Sequence, residues 1–148
     1  MCTPIENIRL VADLCRTGEP LPGNIAGWLG RSLEAYLDRQ VATLNDAFGV
    51  RNARGGVDWR QAARIARRDS ALRALAVERM ADMGVSAKAQ AIFKLSNHYA
   101  ATAWLRDRAL EVMPSHYEGK STRWLWLAFK SGAPMPLCVR RLRSILSG

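Results

Sequence analysis

The stretch N-I-A-G-W-L-G-R-S-L-E-A-Y-L-D-R-Q-V-A-T-L-N-D-A-F, Asn24 to Phe48, carries the plainest structural signal in the chain. Its apolar residues Ile25, Trp28, Leu29, Leu33, Tyr36, Leu37, Val41, Leu44 and Phe48 recur in steps of three, one and four. That spacing places them on one side of an α-helix for about six turns, with Asn24 as the cap. Such a stripe serves either as a seam along which two copies dimerise or as the buried face of a helix on its own domain.

The same period governs the rest of the chain, and no convincing period-2 strand interrupts it. Thr3-Pro4-Ile5-Glu6 has the form of a capping box with proline in the first turn, which predicts a helix to about Arg16, ending before Gly18. Gly18 to Gly23 is rich in breakers and reads as a loop. Val50 to Val57, with Asn52 and Gly55-Gly56, reads as a mobile loop. Asp58 with Gln61 caps a helix from Trp59 to about Arg68, and a second runs from about Ser70 to Asp82. Leu72, Leu75, Ala76, Met80 and Met83 are its inward residues. Gly84 ends it, Ser86 caps the next, and that helix continues to about Met113, where Pro114 stops it. Ile92, Phe93, Ser96, Tyr99, Ala100, Ala103 and Trp104 form its inward side. Thr122–Lys130 and Leu137–Leu146 complete the chain. The expectation is an all-α fold: a single-domain bundle of about six or seven helices over residues 1–148, with a C-terminal helix-turn-helix-like pair. Residues 1–49 form a near-neutral helical pair and residues 58–148 a basic helical part.

Charge separates the two parts. Residues 1–50 hold four Arg against six acids, net −2, whereas residues 51–148 hold eighteen Lys or Arg against seven acids, net +11. From Gly119 onward there are six bases and no acid. A field so one-sided attracts polyanions, of which nucleic acid is the commonest. No stretch has the ~20 apolar residues of a membrane span. Glu6, Arg9 and Asp13 interrupt the apolar pattern of the first segment, unlike a secretory signal, so a cytoplasmic address is expected. Cys2, Cys15 and Cys138 are widely spaced and odd in number, as expected of free, mostly buried thiols in a reducing compartment.

Little speaks for catalysis. The run P-S-H-Y-E-G-K-S-T, Pro114 to Thr122, ends in the letters of a phosphate-binding loop. That loop needs a glycine where Pro114 stands and a preceding β-strand, so Gly119-Lys120-Ser121 reads as a basic connector. His98 and His116 have no acid or cysteine at ligand or catalytic spacing. Asp107, between Arg106 and Arg108, reads as an ion-pairing residue on a helix surface. No catalytic residue, metal ligand or cofactor site is expected.

Aromatic residues beside arginine are a means of holding unpaired bases. Trp28 and Trp104 fit apolar stripes and belong to cores, and Trp59 follows a helix cap. Trp124 and Trp126 point in roughly opposite directions on one helix, so one of them is expected to be exposed beside Lys120, Arg123 and Lys130.

The segment W-L-W-L-A-F-K-S-G-A-P-M-P-L-C-V-R-R-L-R-S-I-L resembles the helix-turn-helix of small bacterial and phage nucleic-acid-binding proteins. Leu127, Ala128 and Gly132 match the apolar, small and turn-glycine positions, and Val139 with Leu142 match the second helix if the turn is one residue longer than usual. The resemblance implies that Arg140, Arg141 and Arg143 face outward toward phosphates or guanine edges. Leu72 to Leu95 is a second helix–turn–helix candidate, with Lys88, Gln90 and Lys94 on its later helix, but Met80 and Arg79 depart from the pattern.

The function expected is nucleic-acid binding, duplex DNA before RNA, in a regulatory or phage- or mobile-element-associated role. Arg140, Arg141, Arg143, Lys120, Arg123, Lys130, Arg64, Arg67 and Arg68 are the contact residues, with Trp124 and Trp126 as aromatic contacts. A homodimer through the 25–48 helix is a further expectation. The alternative is a protein-interaction or inhibitor module that docks an acidic partner without catalysis.

Overall fold

A computed structural model describes residues 3–51 and 56–148. The described residues are all-α: eight α-helices and one 3-10 turn, with no strand among them. They divide into two compact units, Met1–Trp59 and Arg60–Gly148, close to where the charge balance changes. Cys2, Asn52 and Gly55, named in the sequence reading, lie outside the described residues.

In the first unit, α1 spans Pro4–Thr17 and begins as the capping box demands. Thr3 Oγ1 accepts the Glu6 amide at 3.3 Å, and Glu6 Oε2 accepts the Thr3 amide at 2.7 Å. Gly18 ends the helix in the left-handed region, φ 75°.

The six-turn helix over 24–48 is not formed as one piece. α2 is Gly23–Leu37 and α3 is Leu44–Ala47. Asn24 lies inside α2; Pro22 precedes the helix and contributes no side-chain cap. The break is a Schellman motif: the Gln40 amide donates to the Ala35 carbonyl at 2.9 Å and the Arg39 amide to Tyr36 at 3.1 Å. Arg39 takes the left-handed conformation, φ 56°, that glycine usually supplies. Thr43 then caps α3 by accepting the Asp46 amide at 3.1 Å. The apolar period carries across the break because the chain folds back, bringing the Phe48 ring within 5.5 Å of Trp28. Leu33, Tyr36 and Leu37 are left exposed, Leu37 at 74%.

In the second unit, α4 runs unbroken from Trp59 to Arg79 where two helices were expected. No new helix starts at Ser70, and the Asp69 carboxylate before it accepts from the Arg68 guanidinium, at 2.8 and 2.6 Å. Leu72, Leu75, Ala76 and Met80 are buried as their spacing required, while Met83 is exposed in the turn beyond the helix. α5 is Val85–Ala101, with Gly84 rather than Ser86 at its cap position. It stops at Thr102, whose hydroxyl donates to the His98 carbonyl at 2.7 Å and whose backbone leaves the helical region. α6, Ala103–Asp107, continues in a new direction, so the helix does not reach Met113. A 3-10 turn, Ser115–Tyr117, leads to α7, Ser121–Lys130, and α8 closes the chain at Val139–Ser147.

The core gathers Leu72 and Leu75 of α4, Ala89, Ile92 and Tyr99 of α5, Leu125 and Trp126 of α7 and Leu142 of α8. α8 lies against α5. Tyr99, Trp104 and Phe129 pack as an aromatic trio with centroids 5.2 to 6.1 Å apart. The connector between α7 and α8 covers residues 131–138, about twice the turn of a helix-turn-helix. Within it Leu137 is 93% exposed, and Leu127, a matched apolar position, is also exposed, whereas Ala128 and Leu142 are buried.

Candidate nucleic-acid interface

α8 is strongly two-sided. Leu142 and Ile145 are buried, while Arg140, Arg141 and Arg143 are exposed with no carboxylate within 4.0 Å among the described residues. Arg140 and Arg143, three apart, stand side by side on the helix surface. Lys120, Lys130, Arg64 and Arg67 are also exposed. Arg64 lies against the α7–α8 connector, where a Cβ added at Gly132 would meet its Cδ at 3.6 Å. Lys130 Nζ donates to the Arg108 carbonyl at 3.1 Å and stands 5.7 Å from the Trp126 ring centre.

Arg68 is not on the outer face. It is 5% exposed, paired with Asp69, and its Nη1 donates to the Pro134 carbonyl, so its charge is spent inside the unit. Trp126 is 6% exposed and belongs to the core, which removes it as an aromatic contact. Trp124 is half-buried: its Nε1 donates to Glu78 Oε2 at 2.8 Å, and the Arg123 guanidinium covers its ring at 4.9 Å. Arg123 Nε, Thr122 Oγ1 and Trp126 Nε1, all on α7, are buried without a hydrogen-bond partner in the protein.

Two arrangements were not legible as expected. Asp107 does pair with Arg106, but as a fully buried carboxylate rather than as a residue of the helix surface. It accepts from Tyr99 at 3.0 Å, from Arg106 Nε at 3.1 Å and from Tyr117 by a short bond. Burial opposes its ionisation, but the bonds from Tyr117, Tyr99 and Arg106 outweigh that and hold it below the ordinary carboxylate range. Burial and the adjacent Asp107 push both phenols above theirs. Arg73, in turn, donates from Nε to the Ile145 carbonyl at 2.8 Å and so serves the end of α8. The only sequence trace of the first was the pair of tyrosines flanking Asp107; nothing in sequence marked the second.

The basic excess persists within residues 60–148 alone. Residues 60–148 carry sixteen Lys or Arg against six acids, net +10. Of those acids Asp107 is buried, Asp69 is held by Arg68 and Glu78 accepts from Trp124. Gly119 and Lys120 lie in the connector between the 3-10 turn and α7, which Ser121 begins, and no strand precedes them among the described residues. Among the described residues no group of three His, Cys, Asp or Glu stands close enough to hold a metal, and His98 and His116 are exposed. Cys15 and Cys138 are exposed rather than buried. No described helix is long and apolar enough to cross a membrane.

No protein-family model matches this chain, and neither a curated protein nor a solved structure shows detectable similarity to it.

Proposed function

We propose that this protein binds nucleic acid, duplex DNA before RNA, through the basic surface of residues 60–148, and that it does so without catalysing a reaction. The observation that carries the reading is the set of exposed arginines on α8, Arg140, Arg141 and Arg143, with no acid beside them in a unit of net charge +10. An exposed basic helix fits the major groove of B-DNA, about 12 Å wide, whereas the deep, narrow groove of A-form RNA does not admit one. Affinity comes chiefly from arginine–phosphate contacts and the counterions they release. Arg64 and Arg79, fifteen positions apart on α4, extend the basic surface along about 22 Å of helix. A gel shift against random duplex and single strand at two salt concentrations tests the reading. Retention of duplex at low salt and its loss at moderate salt support it; no shift at low salt removes it.

A second reading has its own observation. Tyr36, Leu37, Arg39, Val41 and Ala42 line a surface depression of about 470 Å³, and Leu37 is among the most exposed apolar residues. That patch suits a protein partner, including a second copy, and takes the place of a dimerising seam over 25–48. A stable complex recovered without nucleic acid supports this alternative.

A further inference from the structure

We propose that Leu137, in the connector ahead of α8, reads the C5-methyl group of thymine in the major groove of the bound duplex. The contact depends on the function proposed above and narrows its ligand to thymine-bearing DNA.

Leu137 is the most exposed large apolar side chain among the described residues, at 93%. A lone exposed leucine is ordinary on a protein surface. This one differs in how it is held. Met135 before it and Val139 after it are partly buried and pack against the core, so the chain is anchored on both sides of Leu137. Arg68 Nη1 donates to the Pro134 carbonyl, and the Arg64 side chain lies against the turn at Gly132. Ser131 Oγ donates to the Ala128 carbonyl at 2.6 Å and accepts the Ala133 amide at 3.2 Å. Pro136 fixes its own φ immediately before Leu137. A side chain presented on so pinned a segment loses little backbone freedom when a partner covers it.

The charge around Leu137 defines the partner. Arg140 and Arg141 follow it by three and four positions, both exposed and in no ion pair among the described residues. No acid occurs from Gly119 to Gly148. A partner that covers Leu137 must therefore bring negative charge beside an apolar group. An anionic membrane offers both, but interfacial binding takes a broad apolar face, and α8 turns its own, Leu142 and Ile145, into the core. A duplex offers both at the scale of one side chain. Phosphates flank the major groove, and the thymine methyl is the apolar group that its base edges display. When a recognition helix lies in that groove, the residues at its leading end are the ones that reach the base edges. The methyl contact is non-ionic, so it adds base preference without adding to the salt dependence that the arginines confer.

The test measures the affinity of the full chain for two random-sequence duplex DNA pools, one made with thymine and the other with uracil, at two salt concentrations. The pools differ in the C5-methyl alone. The wild type should prefer the thymine pool by about fourfold, the worth of one buried methyl, and by the same ratio at both salt concentrations. Leu137→Ala should bind both pools equally with an unchanged salt slope, and its thermal midpoint should not move, because the exposed side chain packs on little. Equal affinity of the wild type for both pools, or a preference that Leu137→Ala retains, overturns the thymine contact and leaves duplex binding standing. Equal affinity for the pools together with binding to phosphatidylserine vesicles that Leu137→Ala loses overturns it in favour of a membrane surface. Retention of neither pool at low salt removes the proposed function itself, and the contact with it.

Discussion

Arg73 and Ile145 tie the longest helix of the chain to its last, the Arg73 Nε donating to the Ile145 carbonyl oxygen at 2.8 Å. The final turn of α8 contains no basic residue of its own, so α4 supplies the cation that its carbonyl end favours. Arg73 is thereby structural, although nothing in the sequence separates it from the arginines around it.

Arg73→Ala should lower stability by about 1 kcal/mol, the net worth of one such bond at an exposed site. The measurement is the urea midpoint at unchanged slope. Duplex affinity should stay near wild type, because Arg73 is not among the phosphate contacts.

The buried Asp107 makes stability depend on acidity. Its folded value is held below the ordinary 3.8, so its contribution is complete above about pH 5 and is lost as the pH falls through the folded value. Removing the carboxylate in Asp107→Ala leaves two buried phenols unsatisfied and should cost about 2–5 kcal/mol at pH 7. Tyr117→Phe removes one donor to a charged group and should cost about 1.5–3 kcal/mol. Thermal unfolding from pH 7 to pH 3 checks the sign: wild type should lose more stability on acidification than Asp107→Asn.

Arg39 keeps a left-handed conformation that costs a side-chain-bearing residue about 1–2 kcal/mol. Arg39→Gly removes that strain but adds freedom to the unfolded chain, so a net gain of about 0.5–1 kcal/mol is expected. A denaturation curve that shows a loss would mean that α2 and α3 are not joined by this turn.

Local chemistry was the most legible part of the fold. The capping box at Thr3 and Glu6 predicted α1 because both partners lie within one turn of each other. Periodicity misled where the chain changes direction without a glycine or proline, at Arg39 and at Thr102, since a fold-back returns the next apolar residue to the same core. The candidate interface was legible in charge and not in burial. Arg68 and Arg67 are adjacent and identical in type, yet one is buried against Asp69 and Pro134 and the other is exposed. One of Trp124 and Trp126 was expected to be exposed, but Trp126 is buried and Trp124 is half-buried against the same core, anchored by Glu78, a residue 46 positions away in the chain.

Replacing Arg140, Arg141 and Arg143 together by alanine should abolish duplex retention in a gel shift. The far-ultraviolet circular dichroism should remain unchanged, because Leu142 and Ile145 still hold α8 in place. Retention by the triple variant would move the contact surface away from α8.

The decisive measurement is the affinity of the intact protein for a random duplex, followed by fluorescence anisotropy as salt is raised from low to physiological concentration. If the exposed arginines of α8 and the basic residues around them meet phosphates, log affinity should fall linearly with log salt, with a slope of about −3 or steeper, each contact contributing about −0.9. An affinity indifferent to salt, or no binding at the lowest salt, would contradict the account.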